Sequence, residues 1–212
     1  YFGSNGTDAK AGIDLSGDKG ADATKALVSL VNNPNFVNDA QGVGIAGLRD
    51  GSVGAFFSGS WDYKSVKEIL GDNFGAVSLP TVKIGGTDKQ LKAFAGSKAI
   101  AVNPNCKYQQ IAVALAKYLG GKEAQQKHYD LRNVIPCNTE LLKTDKIDVL
   151  IKAQNDTIDK TSIIQPTLTQ MNDYWAPAQN FAKSIVNGEI TSDNAATKTD
   201  EFYKLINSSV VK

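Results

Sequence analysis

Apolar positions along this chain fall partly at helical spacing and partly in short continuous runs, a mixture that predicts an α/β fold. From residue 19 the spacing of Ala23, Leu27, Leu30 and Val31 predicts a helix with one apolar face, ended by Asn33-Pro34. A weaker helical pattern over residues 40–49 stops at Gly51. The continuous run 53–57, bounded by Gly51 and Gly59, then predicts a buried strand. A Gly59-Ser60 turn follows, delivering Trp61 and a helix over 64–70 with Gly71 at its stop. Residues 73–79 predict a short strand closed by Pro80, Gly85-Gly86 a turn, and 91–102 an extended stretch carrying Phe94, Ala99, Ile100 and Val102.

The second half is more helical. Asn105 predicts the cap of a helix over 107–119, in which Ile111, Leu115 and Leu119 line one face before Gly120-Gly121. A second helix over 124–132 leads to an extended return at 134–138, kept out of any helix by Pro136. Helical patterns recur at 140–143, 148–154 and 168–186. In the last of these Pro177 removes a backbone donor, predicting a kink or restart that sets Tyr174 and Trp175 at a break facing a cleft. A final helix over 194–206 is expected to turn Ala195, Phe202, Leu205 and Ile206 toward the core. Residues 1–17, rich in Gly, Asp, Ser and Asn, read as a loop holding at most one short strand.

Composition narrows the function classes. At 212 residues the chain has room for one large domain or two small ones. Lys and Arg total 23 against 22 Asp and Glu, a net charge of +1, so there is no basic excess of the kind nucleic-acid binders show. No apolar run approaches the roughly 18 residues needed to span a bilayer. Neither a leader nor a lipidation signal stands at Tyr1, so any targeting segment is expected to have been removed or to lie outside this sequence. Cys106 and Cys137, 31 positions apart, fit no metal motif; one disulfide and two free thiols stay equally open. His128 sits in a polar helical stretch and reads as a surface residue.

Candidate chemistry is thin by most routes. Gly42-Val43-Gly44-Ile45-Ala46-Gly47 matches G-x-G-x-x-G, but residues 35–41 are polar and irregular where a dinucleotide site needs a strand. Residues 14–18 resemble part of a calcium loop yet lack the central glycine spacing and the distal glutamate. One histidine and two cysteines leave no serine with an obvious base, and the carboxylates are scattered. What remains is Trp61 and Trp175, each beside a helix start and flanked by Asp62, Tyr63, Tyr174 and Gln179. Each indole is either core filler or a contact surface. As surfaces, flat aromatic faces beside amides and carboxylates suit a sugar, whose C–H faces stack on rings while its hydroxyls take hydrogen bonds.

Several segments, in this order, resemble one family: Ser58-Gly59-Ser60-Trp61-Asp62, Leu70-Gly71-Asp72-Asn73-Phe74-Gly75 with Leu79-Pro80-Thr81, Phe94-Ala95-Gly96-Ser97-Lys98, Val102-Asn103-Pro104, Met171-Asn172-Asp173-Tyr174-Trp175, and the closing stretch from Gly188-Glu189-Ile190-Thr191. The chain is similar to the second half of the maltose/maltodextrin-binding proteins of ABC importers. That resemblance implies an α/β, type II periplasmic-binding-protein-like fold, mainly the C-terminal lobe. Residues 1–93 and 148–212 would build that lobe, and 94–147 would cross into the N-terminal lobe. It implies non-catalytic binding of an α-glucan oligosaccharide, delivery to permease subunits, export to the outer face of the membrane with a lipid anchor in the full-length protein, and no cofactor.

By the same resemblance Trp61 and Trp175 stack on sugar in a common groove, with Asp62, Tyr63, Tyr174 and Gln179 as further contacts. Ser60 stands where members usually carry proline. A carbohydrate-active enzyme or its accessory module is the alternative, and would need a close carboxylate pair near the tryptophans. Cys106 and Cys137, sharing an exported compartment, are expected to bond or to lie within bonding distance. If the first half is absent, the face of Ile111, Leu115 and Leu119 is left uncovered, and self-association or repositioning of these helices is expected, with weak sugar binding.

Overall fold

The computed structural model describes residues 1–39, 42–143 and 149–210. In chain order the elements are α1 (Gly17–Val31), α2 (Val43–Asp50), α3 (Tyr63–Leu70), β1 (Thr81–Ile84), β2 (Thr87–Gln90), β3 (Ala93–Ala95), α4 (Gln109–Leu119), α5 (Lys122–Arg132), α6 (Val149–Lys160), β4 (Ser162–Ile164), α7 (Asn172–Val186) and α8 (Ala195–Val210). Two compact units result. The first comprises Tyr1–Gly44, Leu79–Phe94 and Ser162–Lys212; the second comprises Ile45–Ser78 and Ala95–Thr161. The expected starts of helices at 40 and 148, and the expected boundary at 147/148, lie outside the described residues.

In the first unit α1, α7 and α8 pack on one another, and α1 also lies against β1. Phe2, Ile13, Met171 and Ile206 form a buried cluster, with Leu15, Phe94, Leu168, Tyr174 and Phe202 packed around it. A smaller cluster joins Val28 of α1 to Ile185 of α7 and Ile190. Phe181 and Phe202 stack between α7 and α8 with ring centroids 4.4 Å apart. The Gly85-Gly86 turn is present, and it joins two strands that the sequence pattern had not marked. Both glycines have positive φ, 56° and 79°, which a two-residue hairpin turn demands. β1 and β2 pair antiparallel from Thr81 opposite Gln90 to Ile84 opposite Thr87, and β3 pairs with β4.

Three helix expectations need correcting here. In α1 the buried residues are Gly20, Ala21, Thr24 and Val28, while Leu27 and Leu30 are exposed. The physical reason is the close approach of α8: Thr24 and Thr199 hydroxyls meet at 2.6 Å, and small side chains let the two backbones come together. In α8 the same geometry buries Ala195, Thr199 and Ile206 and turns Leu205 outward. Pro177 does not restart its helix; α7 runs unbroken from Asn172 to Val186. The carbonyl opposed to the proline ring is that of Asp173, in the first turn, where the helix can tilt without losing its later bonds.

In the second unit α4 and α5 pack as a pair across Gly120-Gly121. No side chain of α4 is buried; Ile111 and Leu115 are exposed and Leu119 is half-buried. Runs 53–57 and 73–79 form no strand, because an apolar run becomes a strand only beside a hydrogen-bonded neighbour, and none is placed there among the described residues. The extended stretch 91–102 contributes only β3. Cys106 and Cys137 are both free thiols, so the expected disulfide is not formed. The return segment is instead pinned to α5, where Gln125 Oε1 accepts the backbone N–H groups of Cys137 at 2.8 Å and Asn138 at 2.9 Å.

Truncating Ile206, which is wholly buried, to Ala should cost about 2–5 kcal/mol, whereas Leu205→Ala on the exposed side should change stability by less than about 0.5 kcal/mol. Urea denaturation of the two variants checks this. Equal losses would show that the buried face of α8 is wrongly placed.

Candidate functional site

The residues singled out by sequence fall into two groups, one in each unit. In the second unit a short 3-10 turn, Ser60–Asp62, leads directly into α3 and puts Trp61 at its crest. The indole is 80% exposed, which removes the core-filler reading for this residue. Its ring lies over Gly59: a Cβ there would sit 2.2 Å from the ring, so glycine is what lets the indole fold back on its own turn. The Ser58 hydroxyl donates to the Asp62 carboxylate and closes the turn from the other side. Tyr63 stands edge-on to Phe74, 5.3 Å between centroids, and the Lys67 ammonium lies over the Phe74 ring at 5.7 Å from its centroid while donating to the Gly71 carbonyl.

In the first unit Tyr174 and Trp175 occupy the first turn of α7, immediately after the 3-10 turn Thr169–Met171 that buries Met171 in the core. Gln179 is exposed one turn further along, at the i+4 position from Trp175 and so on the same face. Trp175 keeps 45% of its surface open. Behind it four rings close a circuit, all edge to face. Tyr1 meets Phe94 at 5.3 Å, Phe94 meets Trp175 at 5.9 Å, Trp175 meets Tyr174 at 5.3 Å, and Tyr174 meets Tyr1 at 5.3 Å. The Tyr1 and Tyr174 hydroxyls are also hydrogen-bonded at 3.0 Å. Burial, then this hydrogen bond, pushes the Tyr1 phenol well above the usual tyrosine range.

Tyr1 and Phe94 were not singled out from the sequence, since positions 1, 94 and 174 share no local pattern and their rings meet only in the folded unit. Other candidates carry nothing here. Asp14 is occupied by Lys19 at 2.7 Å and by Ser16, which hold its carboxyl below the usual range. His128 is exposed on α5. Among the described residues no group of His, Cys, Asp or Glu is placed to hold a metal, and no helix is long and apolar enough to cross a membrane.

Aromatic platforms on helix starts, in a mixed α/β frame, set the context for comparison with known proteins. Residues 2–158 match the bacterial extracellular solute-binding protein family. The chain belongs to that family. It is 29% identical over 201 residues to the maltooligosaccharide ABC transporter solute-binding lipoprotein of Streptococcus pneumoniae, covering 92% of this chain and 46% of that protein. A solved structure with acarbose superposes with a TM-score of 0.90 at 45% identity, covering 99% of this chain and 56% of that one. The maltodextrin binding protein MalE1 from L. casei, without ligand, gives 0.83 at 27% identity, covering 97% and 56%. The fold is therefore that of the type II periplasmic binding proteins. As a family member, this chain spans about half the length of the curated relatives it matches.

Two outcomes are expected from this geometry. Gly59→Ala should displace the Trp61 ring, which is free to swing, and leave the fold intact; a shifted tryptophan emission with an unchanged melting midpoint checks it. For Tyr1 the folded chain binds the phenolic proton more tightly than the unfolded chain, so the stability tied to the neutral phenol is fully present below about pH 10 and is lost as pH rises beyond it. Tyrosinate absorbance should show a phenol titrating well above the usual tyrosine range, and Tyr174→Phe should bring it back toward that range.

Proposed function

We propose that this chain supplies part of a non-catalytic receptor for maltodextrin-type α-glucan oligosaccharides, exported, lipid-anchored in the whole protein, and serving the permease subunits of an ABC importer. The observation that carries the reading is the half-open face of Trp175 on a braced aromatic shelf, with Gln179 one turn along the same face and Trp61 largely exposed on its own turn. An exposed indole costs solubility and contributes nothing to a core, whereas it offers a sugar ring a flat apolar partner with polar groups at its margin. The likeness to a maltooligosaccharide-binding lipoprotein and to a structure with acarbose supports the same ligand class.

A glycosidase would need a close pair of carboxyls beside the exposed indoles, one as the acid. The likeness to solute-binding proteins supports binding without catalysis. Asp62, Tyr63 and Tyr174 are proposed as its polar and aromatic margin.

Replacing Trp175 or Trp61 by Ala should each weaken maltotriose binding by about 1–3 kcal/mol, the range for losing a well-packed aromatic contact. Isothermal titration calorimetry reads the change. Unaltered affinity in both variants would sink the sugar reading, and release of glucose from maltotriose would replace it with an enzymatic one.

A further inference from the structure

The aromatic circuit does more than fill space beneath Trp175. An indole on the first turn of a helix can rotate about its own side-chain bonds, and a ligand that needs one ring plane bears the entropy of ordering it. Tyr174 cannot brace Trp175 independently, because it rides on the same turn of α7. Phe94 can. It comes from β3, which is tied to β4, and it packs on the cluster of Phe2, Ile13, Met171 and Ile206. From that fixed base its ring meets the indole at 78° between planes. Tyr1 then stands behind both walls, edge-on to Phe94 at 73° and to Tyr174 at 87°, and its hydroxyl joins that of Tyr174.

We infer that Phe94 is a positioning residue for Trp175, backed by Tyr1, and that it holds the indole plane ready before the sugar arrives. This rests on the reading that Trp175 stacks on sugar. Phe94 need not touch the ligand; its effect passes through the ring it holds. Loss of its ring therefore lowers affinity by freeing Trp175, and a substitute that keeps the ring preserves affinity.

The test uses the full chain with maltotriose. Phe94→Leu, which keeps apolar bulk and loses the ring, should weaken binding about three- to tenfold, the worth of one edge-to-face pair, while Phe94→Tyr should bind as the parent does. The chain has two tryptophans, so in a Trp61→Phe background the tryptophan fine structure at the long-wavelength edge of the near-ultraviolet circular dichroism, beyond the tyrosine bands, comes from Trp175. That band should collapse in Phe94→Leu and persist in Phe94→Tyr, with the far-ultraviolet spectrum unchanged. If Phe94→Leu fails to fold, Tyr1→Leu carries the test, with a smaller loss in the same direction. A parent-like band and parent-like affinity in the leucine variants overturn the inference. If Trp175→Ala loses binding and the leucine variants do not, only this inference falls; if Trp175→Ala binds like the parent, the stacking role of Trp175 falls and takes the inference with it, and the sugar reading itself falls only if Trp61→Ala is parent-like as well.

Discussion

The first unit depends on one long-range closure: the opening segment and the last helix share a core. Ile13 and Asn207 exchange two hydrogen bonds, the Ile13 N–H to Asn207 Oδ1 and Asn207 Nδ2 to the Ile13 carbonyl, both at 2.9 Å. Beside them Phe2, Ile13 and Ile206 are essentially without solvent exposure. Closing so long a loop costs entropy, but that cost grows only with the logarithm of length, so one well-buried cluster suffices to offset it. Met171 enters the same cluster and fixes where α7 begins. The direction in which Trp175 faces is thus decided by contacts nearly the whole length of the chain apart.

That dependence explains which parts of the molecule could be read from the sequence. Local signals served well: α3 stops at Gly71, α4 ends at Gly120, and Trp61 stands at a turn before a helix as its flanking glycine and serine suggest. What required a partner did not show. The residues 53–57 carry strand chemistry without a paired neighbour, since alternation and apolarity say what a strand would bury and not whether a ladder exists. The face of α1 and the place of Leu205 on α8 were misjudged because size is a poor guide where helices approach closely, whereas Ala195, Phe202 and Ile206 of α8 turn inward as expected; the Thr24–Thr199 contact selects small and hydroxylated positions over Leu27 and Leu205. The meeting of Tyr1 and Phe94 with Tyr174 and Trp175 was invisible for the same reason, since it exists only across the fold.

The second unit shows the opposite balance. Its most apolar helix, α4, leaves Ile111 and Leu115 open, 68% and 54% exposed, with Tyr108 and Tyr118 on exposed positions as well. Burying an aliphatic side chain is worth about 1.5–3 kcal/mol, so this face withholds stabilisation that the first unit's core obtains. Local pairs such as Lys122 with Glu140 and Gln125 with the return segment offset little of the deficit, because solvent screens an exposed ion pair. Local opening should therefore be easier around α4 and α5 than around α8.

A gradient of this kind bears on how Trp61 and Trp175 can act. Trp175 is held through Phe94 and Tyr174 to a dry core, so its plane is a property of the folded unit. Trp61, 80% exposed, lies over Gly59 on a turn closed by Ser58 and Asp62. On the proposed sugar reading, a ligand stacking on Trp175 would meet a surface already in place, whereas one stacking on Trp61 would itself order the ring and bear that entropy. Two indoles of the same chemistry thus differ in kind: one is preorganised by packing and the other adapts, and the adapting one stands on the unit with fewer buried contacts.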